Sequence, residues 1–331
     1  MKKRTGKPRK VLVFGVGVIG AYLAHALVEA GNEVTVLVRE ERARMLNENG
    51  LRIWHHLQKK ETVDKVEAVS SIEGMTFNAA FVVMPWHKMR EALPQICQIR
   101  TGLLILVGNN LSPQEFQDYI REHCKIRTLL FGFQVSGGKK EKTRYICERL
   151  GSVSLDIGQL HGETDAKTKR WVEALFSGAK YRLGWHPDME SFLICHPAAI
   201  LPIGYLAYIC GGDMTRSTRR QRRLMVDASH EAYEFLKARG VTICPAGDDK
   251  FYGKGPLGWL MKLLYFIMAK NRSIGDLIAC EHCRNAVTEM EQIDLFYEDL
   301  MKGYPKDQLQ NWNKLRAQMP SWESLHEKYG N

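Results

Sequence analysis

Residues 11–185 predict an α/β unit built on a doubly wound sheet, and residues 186–331 predict an all-helical second unit. Three observations carry this. A glycine triad separates an apolar run from a helix-like stretch, further short β-rich runs follow it at intervals, and long helical segments take over beyond Trp185. The 331 residues are 45% hydrophobic and 25% charged, ordinary for a soluble globular enzyme with a substantial core.

The first strand is read at residues 11–14 and the first helix at 21–30, with Gly15-Val16-Gly17-Val18-Ile19-Gly20 between them. In that context Gly15 permits the tight turn, Gly17 lets the backbone approach a pyrophosphate, and Gly20 lets the helix pack on its strand. Val18 and Ile19 fall at the helix N-terminus, where free N–H groups face phosphate. Gly31-Asn32 ends the helix and residues 33–38 form the second strand, which completes a βαβ unit of Rossmann type. Residues 1–10 hold six basic and no acidic residues ahead of this run, so a signal or membrane anchor is the rival reading. His25, Glu29, the spaced glycines and the second strand argue against it.

The end of the second strand selects the cofactor, because an acidic residue there bonds a ribose hydroxyl and an arginine accommodates a 2′-phosphate. Arg39 stands there, with Arg42 and Arg44 close enough in sequence to assist. NADP(H) is therefore expected. A shift of one residue would make Glu40 the ribose ligand instead, and NAD the cofactor.

Residues 79–84, 103–107 and 128–133 continue the sheet. Residues 144–157, with Gly151-Ser152 between apolar runs, read as a hairpin closing its edge. The helical segments are 188–210, 215–239, 256–269 and 276–301. Residues 191–210 have the length and apolarity of a membrane span but contain His196, Pro197 and Pro202, and read as the central helix of the second unit. The polar tail, residues 304–331, is expected on the surface despite Trp312, Met319 and Trp322.

The net charge of +10 is concentrated in residues 1–10 and in the five arginines of residues 216–223, so the remainder is near neutral. No nucleic acid and no membrane partner are expected, and the partner is a small molecule. The eight cysteines are scattered, which suits a reducing cytoplasm. Cys280-Glu281-His282-Cys283 is a single CxxC without the further ligands a tetrahedral metal needs, so no metal site is expected.

A dinucleotide unit of NADP type joined to a helical half resembles the ketopantoate reductase (2-dehydropantoate 2-reductase) family over most of the chain. The run Leu104-Ile105-Leu106-Val107-Gly108-Asn109-Asn110-Leu111 is similar to that family's strand ending in Gln-Asn-Gly-Leu, which puts Asn109 on its cofactor and substrate asparagine. An asparagine after a strand is also a common turn residue. Residues 235–245 are similar to a segment of divergent members, and in residues 282–290 Glu289 falls on the family's substrate-site glutamate. The resemblance implies a hydride transfer from NADPH to a small 2-oxo acid in an interdomain cleft.

The family's lysine at the start of the domain-linking helix has no counterpart in residues 185–202, and a second lysine is replaced by Met84-Pro85-Trp86-His87. His196 is the first candidate for the missing proton donor, because histidine can give a proton near neutral pH. It can equally be a satisfied histidine of an apolar helix. His87 and Lys88, then Lys262, are the next choices. Two alternatives stay open: a non-catalytic NADP-binding sensor or subunit, and a dehydrogenase of another alcohol, amine or opine-like substrate. A homodimer through the helical half fits the same reading.

Overall fold

A computed structural model describes residues 8–148 and 151–330, so most of the basic N-terminal segment lies outside the described residues. The chain divides into two compact units, residues 1–190 and 191–331.

The first unit is α/β. Its strands are β1 (Lys10–Phe14), β2 (Glu33–Leu37), β3 (Leu51–His55), β4 (Lys60–Asp64), β5 (Glu67–Val69), β6 (Ala79–Val83), β7 (Leu103–Val107), β8 (Thr128–Val135), β9 (Gly137–Lys140), β10 (Tyr145–Glu148), β11 (Val153–Gly158) and β12 (Tyr181–Trp185). Its helices are α1 (Val18–Glu29), α2 (Glu40–Asn49), α3 (Trp86–Glu91), α4 (Leu93–Ile96), α5 (Pro113–His123) and α6 (Ala166–Glu173). The main sheet runs β12-β11-β8-β7-β6-β1-β2-β5. From β5 to β8 neighbouring strands are parallel, and β11 joins β8 antiparallel. β1, β6 and β7 are apolar runs whose core positions are fully buried, as strands covered on both faces must be. The order reverses at β1, with β2 on one side and β6 on the other. That reversal opens a crevice at the carboxyl ends of these strands.

A second sheet, β4-β3-β10-β9, packs on α1. Along β3, Leu51, Ile53 and His55 are buried and alternate with Arg52 and Trp54. His25 of α1, only 6% exposed, bonds Asp64 of β4 through Nδ1 at 2.8 Å. The histidine cited against a membrane anchor is thus held between helix and sheet. The Tyr145 hydroxyl of β10 donates to the Val16 carbonyl at 2.8 Å, which ties this sheet to the glycine-rich turn.

Several expectations fail. Residues 144–157 do not form a hairpin: β10 pairs with β3 and β9, while β11 pairs with β8 and β12. The apolar faces of the two strands belong to different layers, and turn chemistry near Gly151 cannot encode that. Residues 149–150, within the expected hairpin, lie outside the described residues. The scatter of cysteines hides a disulfide, since Cys97 after α4 and Cys124 after α5 are bonded with Cα atoms 4.7 Å apart.

The second unit contains α7 (Met189–Ile209, which starts at the boundary), α8 (Arg219–Ala238), α9 (Pro256–Met268), α10 (Arg272–Gly275), α11 (Glu281–Asn285), α12 (Val287–Leu300), α13 (Gln310–Arg316) and α14 (Trp322–Tyr329). α7 is long and apolar enough to cross a membrane, but 67% of that stretch is buried within the fold. The helix expected at 276–301 is broken by a wide turn at Asp276–Cys280 and again at Ala286. The tail is not a surface strap. Trp312 is fully buried between Tyr205 and Tyr297, and Glu231 accepts from the Asn311 and Trp312 amides at the start of α13.

Candidate functional site

The crevice is built from three strand ends whose backbones approach closely. Gly15 has φ +96°, and a Cβ there would lie 2.3 Å from the Val83 carbonyl oxygen at the end of β6. A Cβ on Gly20 would lie 2.1 Å from the Gly15 oxygen, and one on Gly108, after β7, 2.9 Å from the Met84 oxygen. Gly17 is different, because nothing lies within 4 Å of its would-be Cβ. Gly15, Gly20 and Gly108 serve close packing, and Gly17 leaves the turn open. No side chain caps α1 at Gly17, so the N–H groups of the Val18-Ile19-Gly20 turn are offered to an anion.

Arg39 is exposed at the N-cap of α2, two residues past β2. Glu40 is turned toward Arg44, 3.5 Å away. Arg42 lies flat over the Tyr145 ring, 5.0 Å from its centroid, and donates to the Lys142 carbonyl at 3.2 Å. Its Nε and Nη2 are buried with no hydrogen-bond partner. Lys140 stands opposite Tyr145 in the β9–β10 register. Burial, then the charges of Arg42 and Arg39, hold its ammonium below the ordinary 10.5. Arg39, Arg42 and Lys140 thus converge, and among the described residues none of the three is paired with a carboxylate. Sequence reasoning missed Lys140, because it reaches Arg42 only through the second sheet. The buried N–H groups of Arg42, the open turn at Gly17 and the uncapped helix suit a phosphorylated dinucleotide.

Asn109 and Asn110 follow β7 and are both buried. Asn110 Oδ1 accepts from the Ser112 amide at 3.1 Å, while its Nδ2 is buried and unpartnered. Trp86 and His87 open α3 at the adjacent strand end, with Trp86 buried and Lys88 exposed. A cavity of 1220 Å³ lies at the other, amino ends of the strands, lined by Lys10, Glu33 and Phe77, and contains none of these groups.

The remaining expected residues belong to the second unit. His196 lies half-buried on α7, its ring parallel to that of Phe192 at 6.5 Å. Glu289 lies in the first turn of α12, close enough to Tyr208 to disfavour ionisation of its phenol, which burial already pushes up. Lys262 is exposed on α9. Cys280 and Cys283 are buried thiols, the latter pushed up to about 12 by burial, and the described residues contain no cluster able to hold a metal ion.

Fold and site define an α/β unit with a glycine-rich turn at the carboxyl ends of its strands, followed by a helical unit. Residues 11–162 match the family model of ketopantoate reductase PanE/ApbA. A relative from Bacillus subtilis (strain 168), the uncharacterized oxidoreductase YkpB, is 32% identical over 175 residues, 52% of this chain and 55% of that protein. The chain therefore spans about half the length of the curated relative it matches. A PanE/ApbA family ketopantoate reductase from Ralstonia eutropha JMP134 shares the fold with a TM-score of 0.67, at 16% identity over 97% of this chain and 100% of its own. The 2-dehydropantoate 2-reductase of Geobacter metallireducens GS-15 gives 0.69 at 14% identity over 93% and 99%. D-mandelate dehydrogenase, solved with NADH and anilino(oxo)acetate, gives 0.64 at 14% over 97% and 100%. Residues 11–162 are therefore similar to the ketopantoate reductase PanE/ApbA domain, and the whole chain shares the fold of those structures.

Proposed function

We propose that the protein is a cytoplasmic NADPH-dependent oxidoreductase that reduces a small 2-oxo acid. The observation that carries the cofactor choice is the convergence of Arg39, Arg42 and Lys140, none of them paired with a carboxylate among the described residues. A 2′-phosphate answers a cluster of cations, whereas a bare ribose does not. Gly15, Gly17, Val18, Ile19 and Gly20 hold the pyrophosphate on the α1 terminus.

When bound, the reduced nicotinamide supplies the hydride that the carbonyl carbon accepts. The carbonyl oxygen then needs one proton to become a hydroxyl. In this reading His196 donates it, Asn109 orients the carbonyl beside the strand ends, and Glu289 binds the polar end of the substrate. These three assignments rest on the family resemblance and on the chemistry of the residues. A homodimer through the helical unit is compatible with this reading.

The test is loss of NADPH absorbance against a panel of 2-oxo acids that includes ketopantoate. Turnover of one acid, abolished by His196→Ala, supports the reading; turnover that survives removes His196 from the role. The replacement of the family's second lysine by Met84-Pro85-Trp86-His87 favours one other reading, a cofactor-binding sensor. Tight NADPH binding without turnover of any acid in the panel moves the weight to it. Arg39→Ala is expected to weaken NADPH far more than NADH, and equal loss of both defeats its assigned role.

A further inference from the structure

α9 is held to its own unit by a narrow strip. Gly258 fits against the Gly253 carbonyl, where a Cβ would stand 2.0 Å from the oxygen, Tyr265 is buried against Tyr252, and Met268 is buried at the end. Leu257, Trp259, Leu260, Leu263, Leu264, Phe266 and Ile267 are all exposed, Trp259 by 67%. At 100° per residue these seven span about half of the helix circumference, with Leu260, Leu263 and Ile267 nearest its middle. A soluble fold does not leave so contiguous an apolar face outward without a use for it.

The chemistry of the rim says what covers it. Phe266 lies between two cations, Arg222 at 6.0 Å and Lys270 at 5.6 Å from its ring centroid. Lys262 emerges on the same flank, and Arg219, Arg220 and Arg223 are exposed at the start of α8, which packs beside α9. α9 itself carries no acidic residue. A second copy docked through this face therefore brings no carboxylate from α9 to these cations, and in the antiparallel arrangement it sets the basic flanks together. A convex apolar helix with a basic border instead matches a surface that is apolar inside and anionic at its edge. The helix has 13 residues, about 20 Å in length, well short of the ~30 Å hydrocarbon core, so it can lie in such a surface but cannot span it.

We propose that the α9 face, bordered by Lys262, Lys270 and the α8 arginines, docks the protein reversibly on an anionic lipid surface. This departs from the expectation of no membrane partner and does not depend on the cofactor or the reaction. The experiment is sedimentation of the full chain with vesicles of phosphatidylcholine alone and of phosphatidylcholine with phosphatidylserine, at low and high salt. The expected result is at least about tenfold more protein on the anionic vesicles, reversed by salt. Two independent variants carry the assignment: Trp259→Ser with Leu263→Ser, and Arg220→Ala with Arg223→Ala. Each is expected to lower anionic binding about tenfold or more with an unchanged circular dichroism spectrum. Absence of binding to both vesicles, equal binding to both, or binding unaffected by either folded variant overturns the proposal. So does a concentration-dependent dimer in light scattering that Trp259→Ser dissolves, which assigns the face to a second copy.

Discussion

Around Asp294, in the helical unit, a fully buried carboxylate accepts from Arg316 Nε and Nη2 at 2.8 Å each, from Trp322 Nε1 at 2.9 Å and from the Tyr205 hydroxyl. Around Arg42, in the α/β unit, a half-buried guanidinium keeps two buried N–H groups without an acceptor, and its charged neighbours are Arg39 and Lys140. The first arginine completes a network and fixes α12, α13 and α14 to α7. The second is left incomplete by the protein's own residues. A buried polar group that the fold satisfies is structural, and a cluster of cations without a carboxylate partner is a candidate anion site.

The comparison is broken most strongly by Asp294→Asn. It removes the buried charge that Arg316, Trp322 and Tyr205 share and leaves Arg316 only Glu298 at 3.2 Å, and we expect about 2–3 kcal/mol of lost stability, read from the urea midpoint. A loss below 1 kcal/mol would mean that the network is better solvated than its burial implies. Arg42→Ala comes next and in a different currency: NADPH affinity falls ~10–100-fold by titration, NADH affinity and the urea midpoint change little. Equal weakening of both cofactors would remove the 2′-phosphate from the cradle.

Lys140→Met is expected to cost less, about fivefold to tenfold in NADPH affinity, because an ammonium is a point charge without a bidentate fork. It also has a pH signature. Phosphate binding needs the protonated ammonium, and burial with the nearby arginines places its titration below 10.5. NADPH affinity should therefore be full at neutral pH and begin to fall at lower pH than an exposed lysine would allow. Lys140→Met should flatten that alkaline limb, and a limb unchanged by the substitution would place the titrating group elsewhere. The smallest effect is expected at Lys302, whose ion pair with Asp299 is largely exposed on both sides. Lys302→Ala should leave melting temperature and cofactor affinity unchanged.

The glycine triad was legible because each glycine answers a local demand: positive φ at Gly15, close approach at Gly20, open backbone at Gly17. Arg39 was legible for a similar reason, since it follows β2 directly in sequence. Strands β1, β2, β6, β7 and β8 and helices α7, α8 and α9 announced themselves by apolar runs and periodicity, whereas the edge strands β5 and β12 did not. By contrast, β3 and β4 are short, β4 is polar at all but Val63, and the turn between them is rich in His and Lys. Their strand character comes from packing on α1 and is not strong in the residues themselves.

By itself the sequence determined what depends on neighbours a few residues apart: the turn into α1, the parallel order of an α/β unit, the helical second half, and the resemblance to ketopantoate reductases. Only the tertiary structure decided what depends on residues far apart in the chain. It put Lys140 beside Arg42 through β9 and β10, joined Cys97 to Cys124, and split the expected hairpin between two sheets. It also drew Trp312 into the core and left the apolar face of α9 outward. The physical reason is that backbone preference acts over one turn or one strand, while burial and charge act through space, and space is assigned only when the whole chain has packed.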